Sequence, residues 1–228
     1  MKGLVLLAPE GINSTVSGTP EAIVEWKQRL RALRSDIQFK DSHADQLVFK
    51  HWSVKLKSET ITYKQSDVRP TGSYKHLSPS EWKKMMERED VVLVDTRNSF
   101  EVAVGKFRNA IGFPIKRFHE FPEAVKAAAI PKDKTLLLYC TGGIRCEKAV
   151  LTMEAQGYEN VYQLDGGILA YLEQYPQDAF EGECFIFDHR VALDQQLKPT
   201  TQYILCKTCG DPKLHSGCSK CTPELVAA

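Results

Sequence analysis

Three features predict an α/β fold, a parallel sheet with helices on both faces, preceded by a smaller α+β region. Val91–Val94 is a short continuous apolar run, as expected of a strand buried on both faces of a parallel sheet, and Thr135–Tyr139 and Val161–Leu164 read as further strands. Helix-patterned stretches alternate with them, which implies crossover connections. The run ending at Tyr139 leads into Cys140 and two glycines, and ligand sites of such sheets lie beyond the C-terminal strand ends.

The chain opens with Gly3–Ala8, which reads as a core strand. The apolar stretch is too short for a signal peptide and lacks a small-residue cleavage pattern. Glu10–Asn13 has turn composition, and Ser14–Ser17 reads as a second strand. Thr19 is a helix-cap candidate with Pro20 at the first helical position. Ile23, Trp26, Leu30 and Leu33 then recur on one helix face. Asp36–Phe39 suits a short strand. From Trp52, the apolar Trp52, Val54 and Leu56 alternate with Ser53, Lys55 and Lys57, the pattern of a half-buried strand. Lys50, His51, Lys55, Lys57 and Lys64 surround it. A basic strand carrying an aromatic can contact RNA phosphates and stack a base. The alternation favours a solvated outer face with Trp52 in the core.

Residues 1–64 therefore form a first domain, and 65–77, with Pro70 and Gly72, a linker. Residues 78–178 form a second domain and 179–228 a C-terminal extension with a cysteine-rich tail. The second domain starts with Ser78-Pro79-Ser80-Glu81, a capping box, and a helix carrying Trp82, Met85 and Met86. Asp95-Thr96-Arg97 ends the first strand. Ala110–Pro114 is short and apolar, and residues after Ile115 read as helix. Asp165-Gly166-Gly167 introduces a last helix with Ile168, Leu169, Tyr171 and Leu172.

The chemistry concentrates in Cys140-Thr141-Gly142-Gly143-Ile144-Arg145, before a helix over Arg145–Gln156 closed by Gly157. Glycines let backbone N–H groups turn inward, and the helix N-terminus adds partial positive charge. Both effects, with Arg145, lower a cysteine pKa, and the thiolate is the nucleophile. The competing reading is an inert cysteine at a strand end, which a loop with two glycines and an arginine does not favour. Cys146 can resolve an oxidised Cys140 or simply pack as a small helix residue. Cys184, in a Cys-Phe-Ile-Phe run, reads as buried. Asp188-His189-Arg190 is polar enough to line a pocket.

Cys206-x-x-Cys209 and Cys218-x-x-Cys221, with eight residues between them, have the ligand type and spacing of a four-thiolate zinc site. Gly210 eases the turn, and zinc would supply folding energy to a tail with little core. Reversible disulfides or a metal-free tail are the alternatives, and His215 can replace one ligand.

Of 228 residues, 43% are hydrophobic and 26% charged, with a net charge of +1. Such totals suit one large or two small soluble domains. They give no global electrostatic case for nucleic acid or membrane. No apolar run approaches the roughly 20 residues that span a bilayer. Seven cysteines without a secretory signal point to a reducing, cytoplasmic compartment. No histidine–carboxylate iron set and no dinucleotide glycine fingerprint is visible.

Asp95-Thr96-Arg97 with Phe100-Glu101, Asn109–Pro114, Cys140–Arg145 and Leu164–Ile168 resemble, in order, the signatures of a rhodanese domain. Pro9–Gly18, Cys140–Ala149 and Gly182–Asp188 extend the resemblance across the chain to the bacterial rhodanese-like tRNA uridine(34) hydroxylase family. That resemblance implies oxygen-dependent formation of 5-hydroxyuridine at the tRNA wobble position, with tRNA as partner, molecular oxygen as co-substrate and no nucleotide cofactor. It implies Cys140 as a nucleophile able to carry a persulfide, Arg145 and the loop N–H groups holding the anionic sulfur, and Asp95, Arg97 and Glu101 in support, with Arg97 and Glu101 pairing to brace the site. It also implies a ferredoxin-like N-terminal domain, here partial, because members carry a further strand and helix before the stretch matching residue 3. The six-residue loop resembles sulfur-handling members of the superfamily; phosphatase-like relatives have one residue more. A persulfide sulfurtransferase is the alternative enzyme, and a non-catalytic binding module the alternative outside enzymes. Retention of Cys140 and Arg145 weighs against the module.

Overall fold

The computed structural model describes residues 1–65, 67–70, 75–218 and 220–221. Within the segment read as a linker, residue 66 and residues 71–74, Gly72 among them, lie outside the described residues. The chain divides into two compact units, Met1–Thr62 and Tyr63–Ala228.

In the first unit, β1 (Lys2–Ala8) and β2 (Gly11–Ser17) form an antiparallel hairpin running from Lys2↔Ser17 to Ala8↔Gly11. Only Pro9 and Glu10 connect them, so the expected turn is shorter and the second strand longer than the sequence suggested. Thr19 caps α1 (Pro20–Leu33), its side chain accepting from the Ala22 N–H at 3.3 Å. Leu30 is buried, but Leu33, in the last turn, is 84% exposed and leaves the expected apolar face. Asp36–Phe39 is irregular. Asp36 instead closes a local ion pair with Arg34 at 2.8 Å.

The strand β3 (Trp52–Leu56) runs parallel to β1, giving the order β2-β1-β3. Its alternation does not mark burial. Trp52, Val54 and Leu56 are 43%, 52% and 83% exposed. Parallel pairing places them on the face of Gly3, Val5 and Leu7, but β3 is the sheet edge. Trp26 of α1 meets Trp52 edge-on at 5.4 Å; Trp52 is therefore not a core residue.

The second unit is built on a five-stranded parallel sheet. In chain order its elements are β4 (His76–Leu77), α2 (Pro79–Met86), β5 (Val91–Asp95), α3 (Ser99–Val102), β6 (Gly105–Phe107) and β7 (Ile111–Gly112). Then follow α4 (Phe121–Ala128), β8 (Thr135–Tyr139), α5 (Cys146–Ala155), β9 (Val161–Leu164) and α6 (Gly167–Gln174). The sheet order is β4-β9-β8-β5-β7. The segment read as linker thus contributes the edge strand β4, with Leu77 buried. The helix expected just after Ile115 starts later, as a 3₁₀ turn at Phe118–Glu120 running into α4. Pro122 suits the first turn of α4 because its missing N–H is one that a helix leaves unpaired there anyway.

Central β8 is buried at all five residues, as its unbroken apolar run requires. Alternate residues serve opposite faces. Leu137 and Tyr139 join Leu93, Trp82, Phe107, Ile168, Tyr171 and Phe180 in one core. On the other side α5 lies against β8 and β9, with α4 beside it. Burying side chains such as Leu136 or Trp82 contributes about 2–3 kcal/mol each. Beyond α6 come β10 (Phe180–Gly182), paired with β6, and the hairpins β11 (Cys184–Phe185) with β12 (Ala192–Leu193) and β13 (Tyr203–Leu205) with β14 (Pro212–Leu214). Among the described residues, no helix is long and apolar enough to cross a membrane.

Candidate active site

The C-terminal ends of β5 and β8 and the N-termini of α5 and α6 converge on Cys140. Its sulfur accepts the Gly143 N–H at 3.0 Å. Gly143 reaches the required turn at φ +97, a conformation that costs a glycine little. The loop is held from behind. Ile168 N–H donates to the Cys140 carbonyl at 3.0 Å, and Leu169 N–H to that of Thr141 at 3.2 Å. The first N–H groups of α6 thus occupy the loop carbonyls, while the N–H groups of Gly143 and Arg145 face the sulfur. Gly167 permits this approach. A Cβ there would lie 2.5 Å from the Cys140 oxygen and 2.6 Å from the Thr141 oxygen, and its φ is +64.

Arg145 forms a two-pronged ion pair with Glu101 of α3, at 2.6 and 2.7 Å. Glu101 is fully buried and Arg145 nearly so. The fork fixes the guanidinium plane, and its second nitrogen also lies 3.5 Å from the Thr141 hydroxyl. Burial opposes ionisation of Cys140. The Cys146 hydrogen bond, the Arg145 charge and the N–H groups of Arg145 and Gly143 outweigh it and pull the thiol from 9.0 down to about 5. Cys146 moves the opposite way, raised by burial and by its hydrogen bond to Cys140. Cys140 therefore loses the first proton of the pair, and Cys146 remains the thiol that donates to it.

Asp95 and Arg97 form a separate buried pair, at 2.9 and 2.7 Å, and Arg97 also donates to the Gly105 carbonyl at 2.6 Å. The expected pairing of Arg97 with Glu101 does not occur. The Asp95 carboxylate also accepts the Arg97 N–H at 3.0 Å, a ring closure two residues long, while Glu101 faces α5. Sequence reading missed Thr96, whose N–H and hydroxyl both donate to the Tyr139 carbonyl at 3.0 Å and whose Oγ1 lies 3.8 Å from the Cys146 sulfur. It also gave no role to Gly167, although adjacent glycines opening a helix are a readable sign of close approach. Cys184 is buried as expected, and burial, against a pull from Arg97, pushes its thiol up to about 12. Phe187, at the end of the same apolar run, is 64% exposed and lies under the Arg145 guanidinium at 5.8 Å.

A second site lies in the tail. The sulfurs of Cys206, Cys209, Cys218 and Cys221 all lie within 4.8 Å of one another. Cys206–Cys221 is 4.0 Å and Cys209–Cys218 3.7 Å. A tetrahedron with metal–sulfur bonds of about 2.3 Å has edges of about 3.8 Å, so the four fit one metal ion. Gly210, at φ +80, donates its N–H to the Cys206 carbonyl at 2.9 Å and turns the first knuckle. N–H groups of Cys209 and Thr208 pull the Cys206 thiol down to about 6, whereas hydrogen bonds to the neighbouring sulfurs push Cys221 up to about 12. His215 instead contacts the Thr201 carbonyl at 2.8 Å.

The Rhodanese-like domain family matches residues 78–174, and the UPF0176 acylphosphatase like domain family matches residues 1–60. The chain is 48% identical over 227 residues to the tRNA uridine(34) hydroxylase of Bdellovibrio bacteriovorus, covering 97% of this chain and 65% of that one. It is 41% identical to the protein of that name from Paraburkholderia xenovorans, covering 100% and 88%, and 38% identical to that from Synechococcus elongatus, covering 100% and 87%. It thus spans just under two thirds of the Bdellovibrio protein and most of the other two.

Proposed function

The chain belongs to the tRNA uridine(34) hydroxylase family, and on that premise we propose that it hydroxylates the wobble uridine of tRNA at C5, with molecular oxygen as co-substrate and Cys140 as the reactive residue. The observation that carries this reading is the setting of the Cys140 sulfur, which accepts the Gly143 N–H at 3.0 Å at the start of the loop that the buried Arg145–Glu101 pair closes; the Cys146 hydrogen bond, the Arg145 charge and the loop N–H groups pull its thiol down to about 5. A thiolate abundant at neutral pH is the form able to attack an electrophilic carbon. C6 of uracil is such a carbon, and thiolate addition there places electron density on C5, which takes one atom of molecular oxygen; the other leaves as water with two electrons from a dithiol reductant oxidised to its disulfide, and loss of the C5 proton then expels the Cys140 thiolate from C6. Arg145 keeps the sulfur anionic and Glu101 fixes Arg145. Thr141, Gly142, Gly143 and Ile144 form the cradle, and Cys146 supplies a hydrogen bond to the thiolate. Asp95 and Arg97 brace the strand ends from behind.

A second reading rests on the same cradle. A six-residue loop that turns the Gly143 and Arg145 N–H groups toward the sulfur suits a persulfide anion, so sulfane-sulfur transfer through Cys140 is the alternative activity. We assign zinc to the four tail cysteines, where it would tie the two knuckles together and stabilise a segment with few apolar contacts. The thiol chemistry of Cys140 suits a reducing compartment, and we place the protein in the cytoplasm.

The test compares nucleosides from tRNA of cells lacking this gene, complemented either with this chain or with its Cys140→Ser variant. The expected outcome is 5-hydroxyuridine derivatives restored by the first alone. Restoration by both would remove Cys140 from the mechanism. Unchanged tRNA throughout, with thiosulfate sulfurtransferase activity in the purified protein, would establish the second reading.

A further inference from the structure

We propose that Phe187 is the platform on which the target uracil stacks when it is presented to Cys140. This rests on the hydroxylase reading above and adds a substrate-positioning residue to it. Phe187 sits in the loop between β11 and β12. Its neighbours Phe185 and Ile186 are 4% and 6% exposed, while Phe187 is 64% exposed. An aromatic ring left in water beside a reactive loop is the surface on which RNA-binding proteins stack unpaired bases.

Two features distinguish this ring from a casually exposed one. The first is its place. The Arg145 guanidinium lies 5.8 Å from the ring centroid, and that arginine ends the loop that holds the Cys140 sulfur. Phe185 meets Phe187 edge-on at 5.0 Å, and Phe100 of α3 meets Phe185 at 5.3 Å. The ring is thus linked to α3, the helix that carries Glu101, through Phe185. The second feature is rigidity. Ile186 N–H donates to Val191 at 2.9 Å, and Val191 N–H to Asp188 at 3.1 Å. The Asp188 carboxylate accepts the Arg190 N–H at 3.0 Å and its guanidinium at 2.9 and 2.6 Å. The turn is closed on itself, so the backbone that carries the exposed ring is held in place before any substrate arrives.

Uracil carries no charge and offers two faces and an edge. Hydroxylation at C5 requires the ring to be unstacked from its neighbours and held at one orientation to the sulfur. The face of Phe187 turned away from Arg145 does this for any base, while Arg145 over the opposite face holds the ring by cation–π attraction.

The experiment uses the full chain and an anticodon stem-loop RNA carrying either uridine or an abasic residue at the wobble position. Phe187→Leu keeps apolar bulk without a π face, and Phe187→Trp keeps the face. Stacking of this kind corresponds to about 5-fold to 150-fold per base. Phe187→Leu should lose that factor in kcat/KM and in affinity for the uridine RNA, while its affinity for the abasic RNA stays at wild-type level. Phe187→Trp should retain kcat/KM within a few-fold. Thermal melting and the Cys140 titration midpoint confirm an intact site. Wild-type behaviour of Phe187→Leu, or equal losses on the uridine and abasic RNAs, would overturn the proposal and leave the hydroxylase reading standing. Absence of 5-hydroxyuridine with the wild-type chain would overturn both.

Discussion

Replacing Cys140 with serine removes one ionisable group while leaving the cradle in place, which makes the cradle's electrostatic effect measurable. The thiol is drawn from 9.0 to about 5, and about 4 pKa units correspond to roughly 5 kcal/mol in favour of the thiolate. The folded value lies below the unfolded one, so the stabilisation is complete above about pH 9 and is lost as pH falls through about 5. Between those limits it changes by about 1.4 kcal/mol per pH unit and amounts to roughly 3 kcal/mol at pH 7. Cys146, whose thiol is raised, acts with the opposite sign, but only above its unfolded value; measurements at pH 5 to 8 avoid it.

The assay is urea unfolding of the wild type and Cys140→Ser under reducing conditions, in a Trp26→Phe, Trp52→Phe background. Trp82, fully buried in the second unit, is then the sole tryptophan and reports that unit. The wild-type advantage should grow by roughly 4 kcal/mol across these three pH units. Thiolate absorbance, taken as wild type minus Cys140→Ser so that the tail cysteines cancel, should titrate with a midpoint near 5. Arg145→Met alone would strand the buried Glu101, at a cost of about 3–5 kcal/mol. The informative variant is therefore Arg145→Met with Glu101→Gln, which should move the Cys140 midpoint upward. A pH-independent stability difference together with a midpoint near 9 would refute the cradle argument.

Gly167→Ala forces a Cβ against backbone at a left-handed position. It should cost about 1–3 kcal/mol in urea melts and abolish uridine hydroxylation, whereas Gly142→Ala, with open space at its Cβ, should change stability by less than about 0.5 kcal/mol. Elemental analysis of the purified chain should give one zinc per chain, and Cys206→Ser should reduce it; a zinc-free wild type would disprove the tail site. Trp82 is fully buried, and its Nε1 has no hydrogen-bond partner among the described residues. Trp82→Ala should therefore cost about 3–5 kcal/mol, and Trp82→Phe much less in the same denaturation assay, because the smaller ring also removes an unpaired donor.

What the sequence revealed divides along the range of the forces involved. Strands β5 and β8 were legible because burial on both faces leaves a run of apolar residues, and β9 because apolar residues flank Gln163 in a short segment between helices. The start of α2 was legible because its cap is local: the Ser78 N–H donates to the Glu81 carboxylate at 2.9 Å, within three residues. The cysteine loop was legible because glycines and an arginine at a helix start have few other uses. The failures are cases where a pattern fixes a face but not what covers it. Trp52, Val54 and Leu56 do share one face, and β3 is an edge strand on which that face stays largely open. The Cys184-Phe185-Ile186-Phe187 run made the burial of Cys184 legible but carried no sign that its last ring, Phe187, is exposed.

The pairing of the buried arginines shows where a further local rule would have helped. Two carboxylates, Asp95 and Glu101, and two guanidinia, Arg97 and Arg145, meet near the loop, and composition does not say which pairs with which. Asp95 takes Arg97 because one carboxylate oxygen accepts both the Arg97 N–H and its Nε, at 3.0 and 2.9 Å. Closing so short a ring orders little extra chain. The same closure recurs in Asp188-His189-Arg190, at 3.0 and 2.9 Å. An aspartate two residues before an arginine at the end of a strand is thus a readable self-paired unit. With Arg97 assigned that way, Glu101 is left for Arg145, 44 residues further on. That long-range fork is what lets a positive charge remain buried beside Cys140, and the capacity of the loop to hold an anionic sulfur depends on it.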